Sequence, residues 1–159
     1  MKIHKHTYFF VLEIAALQVG EIYDDLPTHC TLVHRFWSDL SVEELATGVR
    51  KILAATSPVA LIFAEEELLG PKKTTVNKIE LTLQLQQLHT QLYDQLTKQG
   101  VEYTAPGWVG GGYIAHVSKR QEATFATGDT HDCTAICLVE AEVEGYGRQR
   151  LIRAKFNLG

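Results

Sequence analysis

The sequence predicts an α+β fold of two lobes, with pseudo-symmetric antiparallel sheets and flanking helices around a central cleft. Three observations lead there. Short runs rich in β-branched and aromatic residues recur along the chain, interrupted by only two stretches with helical spacing. Each half carries one of those helical stretches, several strand-like runs, and one short segment of the form His-x-hydroxyl. Finally, the 159 residues, 45% of them apolar, suffice for one domain over residues 1–159 built on a shared core.

The elements follow in order. Tyr8–Ile14 reads as a first strand, and the polar, acidic stretch from Gly20 to Pro27 as a loop. His29–Phe36 reads as a second strand. Ser41 with Glu44 three residues later forms a capping-box signature, so a helix starts there and runs to about Ala55, before Ser57-Pro58. Val42, Leu45, Val49, Ile52 and Leu53 give it one apolar face. Val59–Ala64 is a short buried strand. Glu65–Lys78 holds a Gly70-Pro71 turn signal and is ambiguous, with a strand around Thr74–Ile79. Leu81–Gln99 is the clearest helix: Leu81, Leu85, Leu88, Leu92 and Leu96 recur at spacings of three and four, and Gly100 supplies a stop. Tyr103–Gly112 is a glycine-rich loop, Tyr113–Ser118 a strand, and Thr124–Thr134 a polar loop. Ala135–Val143 and Gln149–Phe156 are strands joined through the hairpin signal Glu144-Gly145-Tyr146-Gly147.

Composition excludes several classes. Charged residues make up 21% of the chain, which is neither a disordered nor a membrane composition. Runs such as Tyr8–Leu12 and Ala60–Ala64 are too short to span a bilayer. The basic N-terminus lacks the pattern of a secretion signal, so a cytoplasmic protein is the expectation. A net charge of −4 disfavours a sleeve for long duplex DNA, but leaves room for a small nucleotide or an RNA end at a local basic cluster. Three cysteines, an odd number, argue against a disulfide framework.

The chemistry concentrates in His29-Cys30-Thr31-Leu32 and His116-Val117-Ser118-Lys119. Residues i and i+2 of a strand share a face, so each imidazole stands beside a hydroxyl. The pattern is short and common by itself. Its weight comes from pairing: both copies lie in strand-like runs, each follows a turn-forming segment, and they sit in opposite halves. Facing each other, they would place two imidazoles and two hydroxyls in one cleft, a set suited to acid–base chemistry on a phosphate ester without a metal.

These two segments, with the order strand, motif strand, helix, strand, long helix, motif strand and terminal strands, resemble the two-histidine phosphoesterase superfamily, which includes 2'-5' RNA ligase-like proteins and cyclic phosphodiesterases. Ser118 stands where Thr is more usual, and Lys119 where an apolar residue is common. The resemblance implies an enzyme acting on a 2',3'-cyclic phosphate or a 2'-5' phosphodiester, with His29 and His116 as acid and base and Thr31 and Ser118 on the phosphate. It requires no cofactor. The alternative is a non-catalytic module that binds a nucleotide or RNA end on the same fold. Which histidine is acid, the substrate, the reaction direction and the oligomeric state stay open.

Trp108 and Tyr113 are the expected base contacts, with Phe36 more at home in the core. Arg35, Lys119 and Arg120 are candidate phosphate contacts, although a solvated surface role suits each as well. His4, His6, His34, His89 and His131 read as structural or surface residues. His34, five positions from His29, points to the other face of a regular strand. A metal site at His131, Asp132, Cys133 and Cys137 is disfavoured: the spacing fits no standard zinc pattern, and an extended chain separates the two cysteines by about 13 Å. Gly110-Gly111-Gly112 lacks the Lys-Ser/Thr and the helix of a P-loop, and reads as a tight, flexible approach to the second motif.

Overall fold

A computed structural model describes residues 6–141 and 149–159. His4 and the hairpin signal after Ala141 therefore lie outside the described residues. The strands are β1 (His6–Glu13), β2 (Ile22–Tyr23), β3 (His29–Ser38), β4 (Val59–Leu69), β5 (Thr74–Ile79), β6 (Glu102–Tyr103), β7 (His116–Ser118), β8 (Thr130–Cys133), β9 (Ala135–Ala141) and β10 (Arg150–Asn157). The helices are α1 (Val42–Ala54) and α2 (Leu83–Lys98).

Two antiparallel sheets make the two lobes. One has the order β2-β10-β9-β1-β3-β6, the other β7-β5-β4-β8. The first motif lies on β3 in the six-stranded sheet, and the second on β7 at the edge of the four-stranded sheet. This is the two-lobed α+β architecture that the sequence predicts.

Both faces of the six-stranded sheet are apolar. Tyr8, Phe10 and Leu12 of β1 join the main core with α1 and α2, which bury Leu45, Val49 and Leu53, and Leu85, Leu88, Leu92 and Leu96. Phe9 and Val11 point the other way and join a second cluster with Leu17, Leu26, Val139 and Ile152. Burial of this kind contributes about 25 cal/mol per Å² of apolar surface, and so is the main force that stacks helices on sheet.

The capping box at α1 forms as read: Ser41 Oγ accepts from Glu44 N at 3.1 Å, and Glu44 Oε1 accepts from Ser41 N at 3.1 Å. The second helix starts later than its leucine spacing predicts. Thr82 Oγ1 accepts from Leu85 N and caps it, which leaves Leu81 outside and 46% exposed. The ambiguous segment resolves into a hairpin, β4 turning at Gly70 into β5. Part of the expected Thr124–Thr134 loop is instead β8, pairing with β4 through Val59–Cys133 to Ile62–Thr130. An edge strand with two exposed residues, one half-buried and one buried shows little apolar alternation, which hid it. Only His116–Ser118 of the expected Tyr113–Ser118 strand pairs with β5.

The largest departure lies in β3. Its register against β1 shifts twice, between the pairs Phe36–Tyr8 and Val33–Phe10, and again between Val33–Phe10 and Thr31–Val11. Each shift puts one extra residue in β3, the mark of a β-bulge. Leu32 and Val33 are consequently both buried, and His34 and Arg35 are both partly exposed. Strict alternation fails there, and His34 comes to the same cleft as His29 and Thr31. The expectation that His34 faces away is corrected by the bulge between Thr31 and Val33, whose one extra residue reverses the alternation between His29 and His34.

Candidate active site

The two motif histidines are held in the same manner. His29 Nδ1 donates to the Pro27 carbonyl at 2.8 Å, and His116 Nδ1 donates to the Ile114 carbonyl at 3.0 Å. In each case the acceptor is the backbone two residues earlier. A carbonyl only accepts, so Nδ1 carries the proton in both rings. Each neutral ring then keeps its lone pair on Nε2, ready to take a proton; each protonated ring has an Nε2–H to give.

Alternation places the rest. Thr31 stands two residues from His29, and Ser118 two from His116, while Cys30, Leu32 and Val117 turn into the core. The result is a pair of adjoining cavities of about 240 Å³ each. The first is charged: His29, Thr31 and Ser118 line it with Arg35, Arg120, Arg150, Asp24 and Asp25. The second is apolar: His116 and Ser118 line it with Trp108, Leu69, Pro71 and Val76. Ser118 and His34 border both. The cleft that the motifs suggest is thus two adjoining cavities that share Ser118 and His34, with His29 lining one and His116 the other.

Burial pushes the His29 pKa down to about 4, with further lowering by the nearby charges of Arg120 and His116; the Pro27 carbonyl opposes this in part. His29 is therefore neutral at pH 7, with Nε2 free to accept. Arg120 reaches in from just beyond β7, pairs with Asp25, and keeps a buried Nε with no partner among the described residues. A guanidinium in that state has hydrogen-bonding capacity to spare for an anion.

The other candidates separate clearly. Trp108 lines the second cavity, its ring 6.5 Å from that of His116. Tyr113 lines neither cavity. It is buried against His89, ring on ring at 4.1 Å, and its hydroxyl donates to the Thr31 carbonyl at 2.8 Å. It braces the first motif from behind, and base contact is not its place. Phe36 is fully buried in the core. Arg35 lines the first cavity, whereas Lys119 turns out to Glu66 at 2.9 Å and touches neither cavity.

His89 is a satisfied core histidine, as expected. Its Nδ1 donates to the Leu32 carbonyl at 2.7 Å, and its Nε2 accepts from Gly110 N at 2.9 Å. It thereby ties β3 to the glycine-rich loop. That loop is two tight turns, Pro106–Trp108 and Gly110–Gly112. A Cβ on Gly112 would sit 2.0 Å from the Gly107 carbonyl oxygen, so only glycine lets the turns close and set Trp108 against His116.

Sequence reasoning missed Phe9 and Arg150 of the first cavity, and Leu69 and Pro71 of the second. Phe9 comes there from β1, Arg150 from the start of β10, and Leu69 and Pro71 from the β4–β5 hairpin. The three cysteines are buried free thiols. Cys133 and Cys137 sit in different core clusters, and among the described residues no group of three or more His, Cys, Asp or Glu gathers as a metal site.

Comparison with solved structures now bears on the fold. E. coli LigT in complex with 3'-AMP superposes with a TM-score of 0.65 at 14% identity, covering 96% of this chain and 98% of that one. This chain has the LigT fold. A protein described as a phosphoesterase matches with a TM-score of 0.63 at 14% identity over 96% and 98% of the two chains. TT0787 of Thermus thermophilus matches at 0.62 and 11% identity over 96% and 97%. The likeness is one of fold, and it spans nearly the whole of each chain. No family model matches the sequence. No curated protein matches it either. Among the described residues, no helix is long and apolar enough to cross a membrane.

Proposed function

We propose that this protein is a metal-independent phosphodiesterase that acts on a 2',3'-cyclic phosphate or a 2'-5' phosphodiester of a small nucleotide or RNA end. The observation that carries the reading is the matched presentation of two imidazoles. Each is fixed through Nδ1 to the carbonyl two residues before it, and each stands beside a hydroxyl. The LigT fold supports it, and E. coli LigT has been crystallised with 3'-AMP, ATP and phosphate.

The chemistry is an in-line displacement at phosphorus. His29, neutral at pH 7, takes a proton from the attacking water through Nε2. The water oxygen bonds to phosphorus as the bond to the leaving ribose oxygen breaks. That oxygen takes its proton from Nε2 of a protonated His116. The products are a phosphate monoester and a free hydroxyl, and the two histidines end with their protonation states exchanged. Proton return through solvent resets them. Thr31, Ser118 and Arg120 hold the non-bridging oxygens and stabilise the charge that develops on them. Trp108 offers an aromatic face for the base. The motif spacing alone leaves open which histidine is the base. The burial that keeps His29 neutral supports giving it that role.

The test is hydrolysis of 2',3'-cyclic nucleotides and 2'-5'-linked dinucleotides in the presence of EDTA. Wild-type turnover is expected, and His29→Ala and His116→Ala should each lose at least about a hundredfold in kcat. Turnover that survives both substitutions would overturn the mechanism. Binding of these compounds without turnover would turn the reading to a binding module.

A further inference from the structure

His34 is the one cleft histidine that the mechanism does not use. The bulge between Thr31 and Val33 brings it there. Its ring lies 5.4 Å from that of Trp108 and 6.3 Å from that of His116. Its Nε2 is buried and has no hydrogen-bond partner among the described residues. His89 makes the contrast plain, because both of its ring nitrogens are bonded. An unpartnered buried nitrogen costs free energy, and sites retain such groups where a ligand relieves the cost.

Position says which ligand group that is. His29 lines the charged cavity and not the apolar one, and His116 lines the apolar cavity and not the charged one. A phosphorus atom served by both histidines must therefore lie where the two cavities meet. Two side chains line both cavities, Ser118 and His34. Ser118 already has the phosphate in the mechanism above, and His34 stands at the same boundary. We propose that His34 is a further catalytic residue, donating from Nε2 to a non-bridging oxygen of the phosphate as the displacement proceeds. The proposal rests on the phosphodiesterase reading above. The terminal torsion of a histidine ring is soft, so the ring can turn Nε2 to that oxygen without leaving its place. A neutral imidazole carries its one proton on either nitrogen; a phosphate oxygen only accepts, and so selects the form with the proton on Nε2. The bond is assisted by the charge of the phosphate, and it strengthens as charge builds on the non-bridging oxygens. Burial, with His116 and Arg35 nearby, holds the His34 pKa down to about 4, so its ring is neutral at pH 7. His34 thus adds a donor without adding a positive charge, which would oppose the protonation that His116 needs.

The test is steady-state hydrolysis of adenosine 2',3'-cyclic monophosphate by wild type, His34→Phe and His34→Gln, with calorimetric titration of the same intact chains by adenosine 3'-monophosphate. His34→Phe keeps a flat ring and loses both nitrogens. Its kcat should fall about thirtyfold, while its KM and its Kd for the monophosphate rise only about fivefold, since the bond is stronger in the transition state. His34→Gln fits the space of the ring less well but places an N–H near the Nε2 position, and its kcat should stay within about fivefold of wild type. A packing residue would show the reverse order, with His34→Phe more active than His34→Gln. Circular dichroism confirms folding, and His34→Leu serves if His34→Phe does not fold. That reverse order, or a wild-type kcat and affinity in His34→Phe, would end the proposal and leave the two-histidine mechanism standing. A wild type that binds the monophosphate without turnover on the cyclic compound would sink the catalytic reading. Weaker binding by His34→Phe would then keep His34 as a phosphate contact, and equal binding would end this proposal too. A wild type that neither binds nor hydrolyses ends both.

Discussion

The His29 side and the His116 side of the cleft share a clamp and a neighbouring hydroxyl, and differ in the charge around them. Both rings are tied through Nδ1 to a carbonyl two residues back. His29, however, stands on a ten-residue strand inside the larger sheet, beside three arginines and two aspartates. His116 stands on a three-residue edge strand, beside Trp108, Leu69 and Pro71. The shared clamp leaves Nε2 of each ring free. In the proposed mechanism the unlike surroundings divide the tasks, with the phosphate on the charged side and a flat organic group on the apolar side.

The sharpest way to break that division is on the charged side. Arg120→Ala removes a charge-assisted contact, which is worth about 1.5–3 kcal/mol. We expect kcat/KM to fall about a hundredfold, with part of the loss recovered in Arg120→Lys. Asp25 pairs with Arg120 but is itself well exposed, so Asp25→Asn should cost far less. Steady-state kinetics on the best cyclic nucleotide decides between them. A mild effect of Arg120→Ala would mean that the phosphate sits elsewhere.

On the apolar side, Trp108→Ala should raise KM about tenfold and leave kcat nearly unchanged, because stacking on one base is worth about 1–3 kcal/mol and lies away from the reacting atoms. An equal loss in kcat would instead mean that Trp108 sets the position of His116, whose ring it meets at 6.5 Å.

How much of this was legible in the sequence follows the same line between regular and irregular backbone. The alternation of His29 and Thr31, and of His116 and Ser118, is a property of any strand, so the four motif residues could be read directly. So could α1, whose capping box is a local pattern. His34 could not, since the bulge between Thr31 and Val33 moves it to the cleft, and that bulge is set by how β3 pairs with β1, a fit that no local sequence pattern records. Tyr113 failed for a related reason. A tyrosine before a motif looks like a base platform until the fold puts His89 over its ring and the Thr31 carbonyl on its hydroxyl. Leu69 and Pro71 reach the site only because β4 and β5 form a hairpin that the polar composition of Glu65–Lys78 conceals.

A further expected effect concerns acid stability, and it turns on the same burial that keeps His29 neutral. His29 has a folded-state pKa of about 4 against an ordinary value of 6.5. Between those values the unfolded chain binds a proton there and the folded chain does not. Stability from this group is therefore complete above about pH 6.5, declines as pH falls, and levels off below about pH 4. The slope from one such group is at most about 1.4 kcal/mol per pH unit. His29→Gln, which has no titrating ring, should flatten the pH dependence of the urea midpoint across that window, and change it little above pH 7. His34 carries the same shift for the same reason, so His34→Gln should flatten the curve further, and the double variant further still. A curve identical to wild type in His29→Gln would mean that the ring is solvated in solution and titrates normally. The assignment of His29 as the resting base would then lose its physical ground, and the two sides of the cleft would no longer differ in the way that assigns them different tasks.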